Sequence, residues 1–164
     1  MLRLNNLKIQ NFRLLKDLEI QQLGRINLIV GTNHAGKSTV LEALSIYEAL
    51  GSPLLLEELL DKHDETEGSE GVLPVEHFFT NRLLPQNGEK IYIGNTEGTE
   101  YVAMKPTYFT LENSDKGQYD SVMRQCVRKE MDEDEINTFG KGMRQSLKIN
   151  TKNYQLEEPT VRVL

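Results

Sequence analysis

The sequence predicts an α/β fold with an added antiparallel β layer, and three features carry this prediction. An aliphatic segment at residues 26–30 leads into a loop with two glycines, and a strong helical pattern follows at residues 38–50. Two segments with the alternation of β-strands come before this unit. A β-hairpin pattern comes after it, around a turn at residues 95–98.

The strands of the N-terminal region follow from local patterns. Apolar and polar side chains alternate at residues 7–10 and again at residues 16–20, which predicts two half-buried strands. Gly24 marks a break, and residues 25–30 are predicted as a third strand that leads into the loop.

Two helices are predicted next. The pattern at residues 38–50 has a wide apolar surface, which is typical of a helix buried inside a layered domain. Its narrow polar stripe recurs every three residues, at Glu42, Ser45 and Glu48. A Gly-Ser-Pro sequence ends this helix, and residues 54–62 are predicted as a short second helix.

The rest of the chain divides into four segments. Residues 61–71 are acidic, small and polar and are predicted to form an exposed loop, and a short helix is expected at residues 75–84. Residues 89–112 are predicted to form the antiparallel β layer, with strands at 90–93, 99–104 and 108–111. Residues 118–164 are predicted to contain a helix, through Met131, and then terminal strands.

The loop after the third predicted strand carries a motif for phosphate binding. Gly31, Gly36, Lys37 and Ser38 match the phosphate-loop (Walker A) pattern G-x-x-x-x-G-K-[ST] at every fixed position. Loop amides of this type cradle phosphate oxygens, and the helix N-terminus adds the positive end of its dipole. Lys37 can reach the β- and γ-phosphates, and the Ser38 hydroxyl can bind the bridging Mg²⁺. ATP and Mg²⁺ are therefore the predicted ligands.

Nine consecutive residues form the predicted binding site. They are Gly31, Thr32, Asn33, His34, Ala35, Gly36, Lys37, Ser38 and Thr39. Lys37 is the predicted catalytic residue, Ser38 is the predicted metal ligand, and Thr39 is placed to contact the α-phosphate. His34 occupies a variable position of the motif and either contacts a phosphate or fills the loop without a role.

Composition excludes several classes of protein. The chain has 164 residues, 38% of them hydrophobic and 27% charged, and a net charge of −6 gives no global footprint for nucleic acid. The single cysteine, Cys126, excludes an intrachain disulfide framework and is predicted to lie in the core. A signal-peptide core and an apolar run of membrane-spanning length are missing, so we expect a cytoplasmic protein without a membrane partner.

The basic residues near the C-terminal end permit two interpretations. They are Lys141, Arg144, Lys148 and Lys152, in a stretch without acidic residues. This stretch either contacts a nucleic-acid backbone or is a solvated basic tail that balances the acidic run at residues 130–135.

The N-terminal motifs together resemble a known group of proteins. A strand ending in Asn11, Phe12 and Arg13, and then G-x-N-x-x-G-K-[ST] with Asn33 at its third position, resemble the ABC-type ATPases of the RecF, SMC and OLD families, which are AAA family ATPases. The Leu-Glu-Ala sequence at residues 41–43 belongs to the same pattern. The resemblance covers residues 2–50.

This resemblance implies an ABC-like phosphate-loop NTPase fold and a part in an ATP-driven head. Such heads act in DNA repair, chromosome handling or defence against foreign DNA, including phage. It also implies that Arg13 lies near the nucleotide, the alternative being a surface arginine at a strand end. Residues 89–112 would form part of the antiparallel layer that flanks the nucleotide.

Three further motifs of these families do not occur in the sequence. They are a strand ending in Asp-Glu (Walker B), a signature motif and a switch histidine. We therefore interpret residues 1–164 as the N-terminal part of an ATPase domain, present as a fragment, a split subunit or a truncated product. The expected partners are a second ATPase head or the C-terminal remainder, with DNA as a further possibility. The alternatives are a non-hydrolysing nucleotide switch, a small-molecule kinase and a degenerate ATPase that binds nothing.

Overall fold

A computed structural model of the chain describes residues 4–65, 74–85, 89–112, 127–130, 143–152 and 160–163. The strands are β1 (Leu7–Phe12), β2 (Leu15–Ile20), β3 (Ile91–Gly94), β4 (Tyr101–Glu112), β5 (Val127–Glu130), β6 (Met143–Lys152) and β7 (Thr160–Val163). The helices are α1 (Lys37–Glu48) and α2 (Pro53–Lys62), with two short 3-10 helices at Val75–Phe78 and Thr80–Arg82. Strand and helix together confirm a mixed α/β protein.

The seven described strands form one sheet in which every described pair is antiparallel. Their order is β2-β1-β3-β4-β6-β7, and β5 pairs with the far end of β4. Strand β1 pairs with β2 on one side and with β3 on the other, so Ile9 lies opposite both Leu18 and Ile93. The N-terminal strands therefore continue directly into the antiparallel layer that was predicted at residues 89–112.

Strand β4 is longer than the sequence pattern indicates. It runs without interruption through both segments that were predicted as separate strands, and it includes Pro106. Proline lacks the N–H that a ladder hydrogen bond needs, and it is uncommon inside a strand. The long register between β4 and β6, from Tyr101 opposite Lys152 to Thr110 opposite Met143, holds the strand extended on both sides of Pro106.

The apolar core lies between this sheet and the two helices. Leu7, Ile9 and Phe12 are buried on β1, and Ile46 on α1 and Leu60 on α2 are buried in the same cluster. Each fully buried side chain of this size contributes about 1.5–3 kcal/mol to folding. The contacts of α1 reach β1, β3 and β4, so this helix packs across the middle of the sheet.

The predicted strand at residues 25–30 is wrong. These residues have no regular structure, and Ile26, Leu28 and Val30 are 93%, 86% and 77% exposed. A strand is stable only when its backbone N–H and C=O groups have partners on a neighbouring strand. Within the described ranges, every strand pairs elsewhere, and nothing pairs with this segment.

The predicted helix through Met131 is wrong where it can be compared. Residues 127–130 form strand β5, with Glu130 opposite Phe109 of β4. Residues 127–130 satisfy their backbone hydrogen bonds by pairing with the extended end of β4. This tertiary pairing outweighs the helical periodicity of their side chains. Residues 118–126 and Met131 lie outside the described residues, while β6 and β7 confirm the terminal strands.

Two polar predictions near α1 and α2 also need correction. Glu42 was placed on the polar stripe of the first helix, but it is buried together with Thr39, Ala43 and Ile46. In the acidic segment, residues 61–64 are exposed as predicted and α2 ends at Lys62, but Glu65 is buried. Ion pairs compensate both carboxylates, as described below, and residues 66–73 lie outside the described residues.

Candidate phosphate-binding site

The loop between residues 31 and 36 bends sharply into helix α1. The amide of Ala35 donates a hydrogen bond of 3.3 Å to the carbonyl of Thr32, which closes a turn inside the loop. His34 and Gly36 adopt positive φ angles of 65° and 87°. Gly36, in its left-handed conformation, is the N-cap residue of α1, and the helix begins at the next residue, Lys37. The local geometry therefore places the lysine of the motif at the first helical position.

Glycine is required at position 36 for two independent reasons. Its φ of +87° lies in the region that other residues adopt only with strain. A Cβ atom there would also lie 3.1 Å from Cδ2 of Leu15, at the start of β2. We call residues 31–38 the phosphate loop. The connection between β1 and β2 therefore packs directly against this loop at Gly36.

The Lys37 side chain folds back over the loop that precedes it. Its ammonium donates hydrogen bonds of 2.8 Å to the carbonyl of Gly31 and 2.7 Å to the carbonyl of Thr32. These two carbonyls stand at the beginning of the loop, five and six residues before the lysine. The positive charge is thereby held beside residues 31 and 32, where the loop begins; we call this position the mouth of the loop.

The N-terminus of α1 fits an anion such as a phosphate group. No side chain caps it, and its first turn contains no acidic residue, so its N–H groups and dipole face no negative charge from the helix itself. Residues 31–35 and Ser38 are exposed, and the Ser38 hydroxyl fits the role of an Mg²⁺ ligand. Thr39, in contrast, is buried, with 7% of its surface exposed.

The side chain of Arg13 is only 10% exposed, so it is not a solvated surface arginine. Its backbone adopts a φ of +49°, and its N–H donates a hydrogen bond of 2.9 Å to the carbonyl of Phe78. The guanidinium carbon lies 5.6 Å from the centre of the Phe78 ring. The same group forms ion pairs with Glu42 at 3.5 Å and with Glu65 at 3.0 Å. Its proximity to a nucleotide stays a prediction.

Two buried carboxylates complete this arrangement, which we call the charge network. Its members are Arg13, Glu42, Lys62, His63, Glu65, His77 and Arg82. His63 Nε2 lies 2.7 Å from Glu42, and Lys62 lies 4.0 Å from the same carboxylate. His77 Nδ1 and an Arg82 nitrogen lie 3.3 Å and 3.2 Å from Glu65. The network connects the β1–β2 turn, both helices and the 3-10 helices.

Sequence reasoning missed this network. One signal was available for Glu42, because it falls at helical spacing among Thr39, Ala43 and Ile46 on the apolar face. A glutamate in such a position needs a positively charged partner if it is buried. No local pattern identifies that partner as Arg13, which is 29 positions earlier in the printed sequence.

The other residues named from the sequence lie partly inside and partly outside the described residues. Lys148 and Lys152 lie on β6, whereas Cys126, Lys141 and the side chain of Arg144 lie outside what the structure describes. The interpretation of the basic stretch stays open. Within the described ranges, no group of His, Cys, Asp and Glu residues is arranged to hold a metal ion. No helix in those same ranges is long and apolar enough to cross a membrane.

The motif and the loop geometry fit the class of phosphate-loop proteins. The family model of the AAA ATPase domain matches residues 2–160, and the chain belongs to this family. The match is consistent with the group of ATPases that the N-terminal motifs resemble. Membership suggests ATP binding and hydrolysis.

Comparison with individual proteins adds one short match. The uncharacterized protein MJECL10 of Methanocaldococcus jannaschii is 43% identical over 44 residues, which is 27% of this chain and 20% of that protein. The match thus spans about one fifth of the length of that relative. No solved structure matches this chain significantly.

Proposed function

We propose that this chain binds ATP with Mg²⁺ through residues 31–39 and forms part of an ATP-hydrolysing head. One observation carries the proposal: the Lys37 ammonium is held at the mouth of a loop that opens onto the uncapped N-terminus of α1. Membership of the AAA ATPase family supports it.

The residues of the loop take complementary parts in this proposal. The amides of the loop and of the first turn of α1 donate to the phosphate oxygens. Lys37 exchanges its bonds to the carbonyls of Gly31 and Thr32 for bonds to the β- and γ-phosphates. Ser38 holds the Mg²⁺ that bridges these phosphates. Binding thus replaces two carbonyl acceptors with charged oxygens, which strengthens the hydrogen bonds of the lysine.

The exposed segment at residues 26–30 supports the proposal that other strands complete the head. Its aliphatic side chains have the composition of a strand buried on both faces, yet Ile26, Leu28 and Val30 are almost fully exposed. We propose that a second ATPase head or the C-terminal remainder of the ATPase supplies the neighbouring strand. The same partner would supply the carboxylates for Mg²⁺ and for the attacking water.

Action on DNA is the finer part of the proposal. It rests on the resemblance of the N-terminal motifs to the RecF, SMC and OLD families, whose heads serve in DNA repair, chromosome handling or defence against foreign DNA. Anisotropy of a labelled DNA duplex, with and without ATP, tests it. We expect binding that weakens as salt is raised, because phosphate contacts release counterions. No binding in either state would contradict a DNA contact by this chain.

Calorimetric titration of ATP into the chain, with and without Mg²⁺, tests nucleotide binding directly. We expect binding that Mg²⁺ strengthens and that Lys37→Ala abolishes. The matched control is Lys90→Ala, which removes an exposed lysine in front of β3. Circular dichroism of both variants shows whether the fold is kept. Unchanged ATP affinity in a folded Lys37→Ala variant would contradict the phosphate-loop proposal.

A nucleotide switch that does not hydrolyse ATP is the second candidate, and one observation favours it. Glu42 is the acidic residue closest in sequence to the phosphate loop, and its carboxylate is paired with Arg13 and His63. A carboxylate engaged in this way is not free to polarise water. Phosphate release under single-turnover conditions separates the candidates, since a switch keeps ATP intact while an ATPase releases phosphate.

A further inference from the structure

Within the described part of the chain, helix α1 has no support from the segment that precedes it. Residues 26–30 are exposed and pair with none of the described strands, so these strands do not fix the direction in which the chain enters the phosphate loop. Among the described residues, the orientation of α1 therefore comes from the contacts of the helix itself. Its apolar face sets its distance from the sheet, but this broad surface does not define a single rotation of the helix. A contact at defined points of the helix is needed to fix its rotation.

The β1–β2 turn provides that contact at two points. Leu15 packs against Gly36, the N-cap of α1, and Arg13 pairs with Glu42, in the second turn of the helix. These two points lie six residues apart, about 9 Å along the helix axis. Together with His63 at the end of α2, whose Nε2 lies 2.7 Å from Glu42, these two contacts hold the axial position and the rotation of this half of α1.

Arg13 is itself held firmly, as a fixed support must be. Its N–H is bonded to the carbonyl of Phe78, its guanidinium lies over the ring of that residue, and Glu65 holds the other side of the guanidinium. The side chains of Arg13 and Glu42 are 10% and 6% exposed, so solvent screens their attraction only weakly. The ion pair of Arg13 and Glu42 thus joins the β1–β2 turn to α1.

We propose that Arg13 is a positioning residue which, through Glu42, holds α1 so that Lys37 and Ser38 meet the phosphates of the nucleotide. Glu42 follows Lys37 by five residues on the same rigid helix, so a rotation at Glu42 moves Lys37 through the same angle. The inference rests on the proposed function, since it names how the predicted ATP site is oriented. It assigns Arg13 no contact with the nucleotide.

The variants must separate positioning from loss of the fold. Arg13→Met alone removes the arginine that two buried carboxylates share, which can unfold the chain although Glu42 keeps His63 and Glu65 keeps Arg82. The triple variant Arg13→Met, Glu42→Gln, Glu65→Gln removes the arginine and both carboxylate charges together, and the amides of the two glutamines can still hydrogen-bond to His63 and Arg82. The matched control is Arg82→Met, which removes the other arginine on Glu65 without touching α1.

Two measurements on the full chain test the inference. The first is hydrogen exchange of the Val40 amide, which donates to the carbonyl of Gly36 across the first turn of α1. The second is calorimetric titration of ATP with Mg²⁺. In the triple variant we expect faster exchange at Val40, unchanged exchange in β1, and an ATP affinity lowered by about tenfold or more. Arg82→Met should leave all three quantities unchanged.

Several outcomes would overturn the inference. One is a folded triple variant with unchanged exchange at Val40, and another is faster exchange with unchanged ATP affinity. An Arg82→Met variant that loses as much ATP affinity would also overturn it, because the effect would then not pass through α1. If the unchanged chain binds no ATP, the proposed function fails, and the exchange at Val40 still decides whether Arg13 holds the helix.

Discussion

The ammonium nitrogen of Lys37 lies 2.8 Å from the carbonyl oxygen of Gly31, so the phosphate loop closes on its own lysine. The same nitrogen reaches the carbonyl of Thr32 at 2.7 Å. In the proposed ATP complex, the ammonium would exchange these two carbonyl oxygens for phosphate oxygens.

Ser38→Ala should weaken ATP binding in the presence of Mg²⁺ and leave metal-free binding almost unchanged. The reason is that the hydroxyl is assigned to the metal and not to the phosphates. Calorimetry in Mg²⁺ and in a chelator measures both. Ser45→Ala is the matched control, because it removes an exposed hydroxyl of α1 that donates only to the carbonyl of Leu41. Equal loss with and without metal would contradict the role of Ser38.

Gly36→Ala should destabilise the chain by about 1–2 kcal/mol, since alanine is strained at a φ of +87°. The new methyl group also meets Leu15, so ATP affinity should fall as well. Urea unfolding and calorimetry check the two effects. Adding Leu15→Ala relieves the contact but not the backbone strain. A Gly36→Ala variant as stable as the unchanged chain would show that this residue is not left-handed.

Gly51→Ala and Gly98→Ala form a matched pair that separates crowding from backbone strain. Their φ angles are +66° and +69°, so the strain is nearly equal. A Cβ at Gly51 would lie 2.7 Å from Ile149, whereas none of the described atoms lies within 4 Å of one at Gly98. Gly51→Ala should therefore cost about 1–3 kcal/mol more, as overpacking does. Equal free energies of unfolding for the two variants would contradict the packing of β6 against Gly51.

Tyr92 should make the stability of the fold fall at alkaline pH. Burial of its phenol raises the pKa of Tyr92 to about 12, and the neighbouring Tyr101 and Glu97 add to the rise. Its hydroxyl also donates a hydrogen bond of 2.6 Å to the carbonyl of Asn95. The unfolded phenol ionises near its model value of 10.0, so this contribution is complete below pH 10 and is lost as the pH rises toward 12.

Tyr92→Phe tests this dependence, because phenylalanine cannot ionise. We expect the variant to lose less stability than the unchanged chain between pH 10 and pH 12, the window that the shifted pKa defines. Urea unfolding at several pH values measures it. Tyr101→Phe is the companion variant, because it removes only one of the causes of the raised pKa of Tyr92. It should therefore narrow the pH range over which the stability is lost. Identical pH profiles for Tyr92→Phe and the unchanged chain would contradict the burial of the phenol.

Local periodicity was sufficient for the elements whose partners are close in the chain. Strands β1 and β2 join through a tight turn, and α1 and α2 carry apolar faces at helical spacing. The predicted segment at residues 25–30 has the composition of a strand but forms none, since pairing depends on a neighbour that composition cannot reveal. At residues 127–130 the error is the opposite one. A helix is predicted there from periodicity, but the segment forms a strand because it pairs with β4.

The phosphate-loop motif can be recognised in the printed sequence, since its fixed glycines, lysine and serine all lie within residues 31–38 and their chemistry follows from the residue types. The position of Arg13 between Glu42 and Glu65, and that of Leu15 against Gly36, are visible only in the folded chain. These contacts join residues far apart in the chain. Their charges attract strongly because little solvent screens them, and their shapes must fit because they are closely packed. A motif is local and can be recognised in one dimension, but the support that orients it forms only when the chain folds.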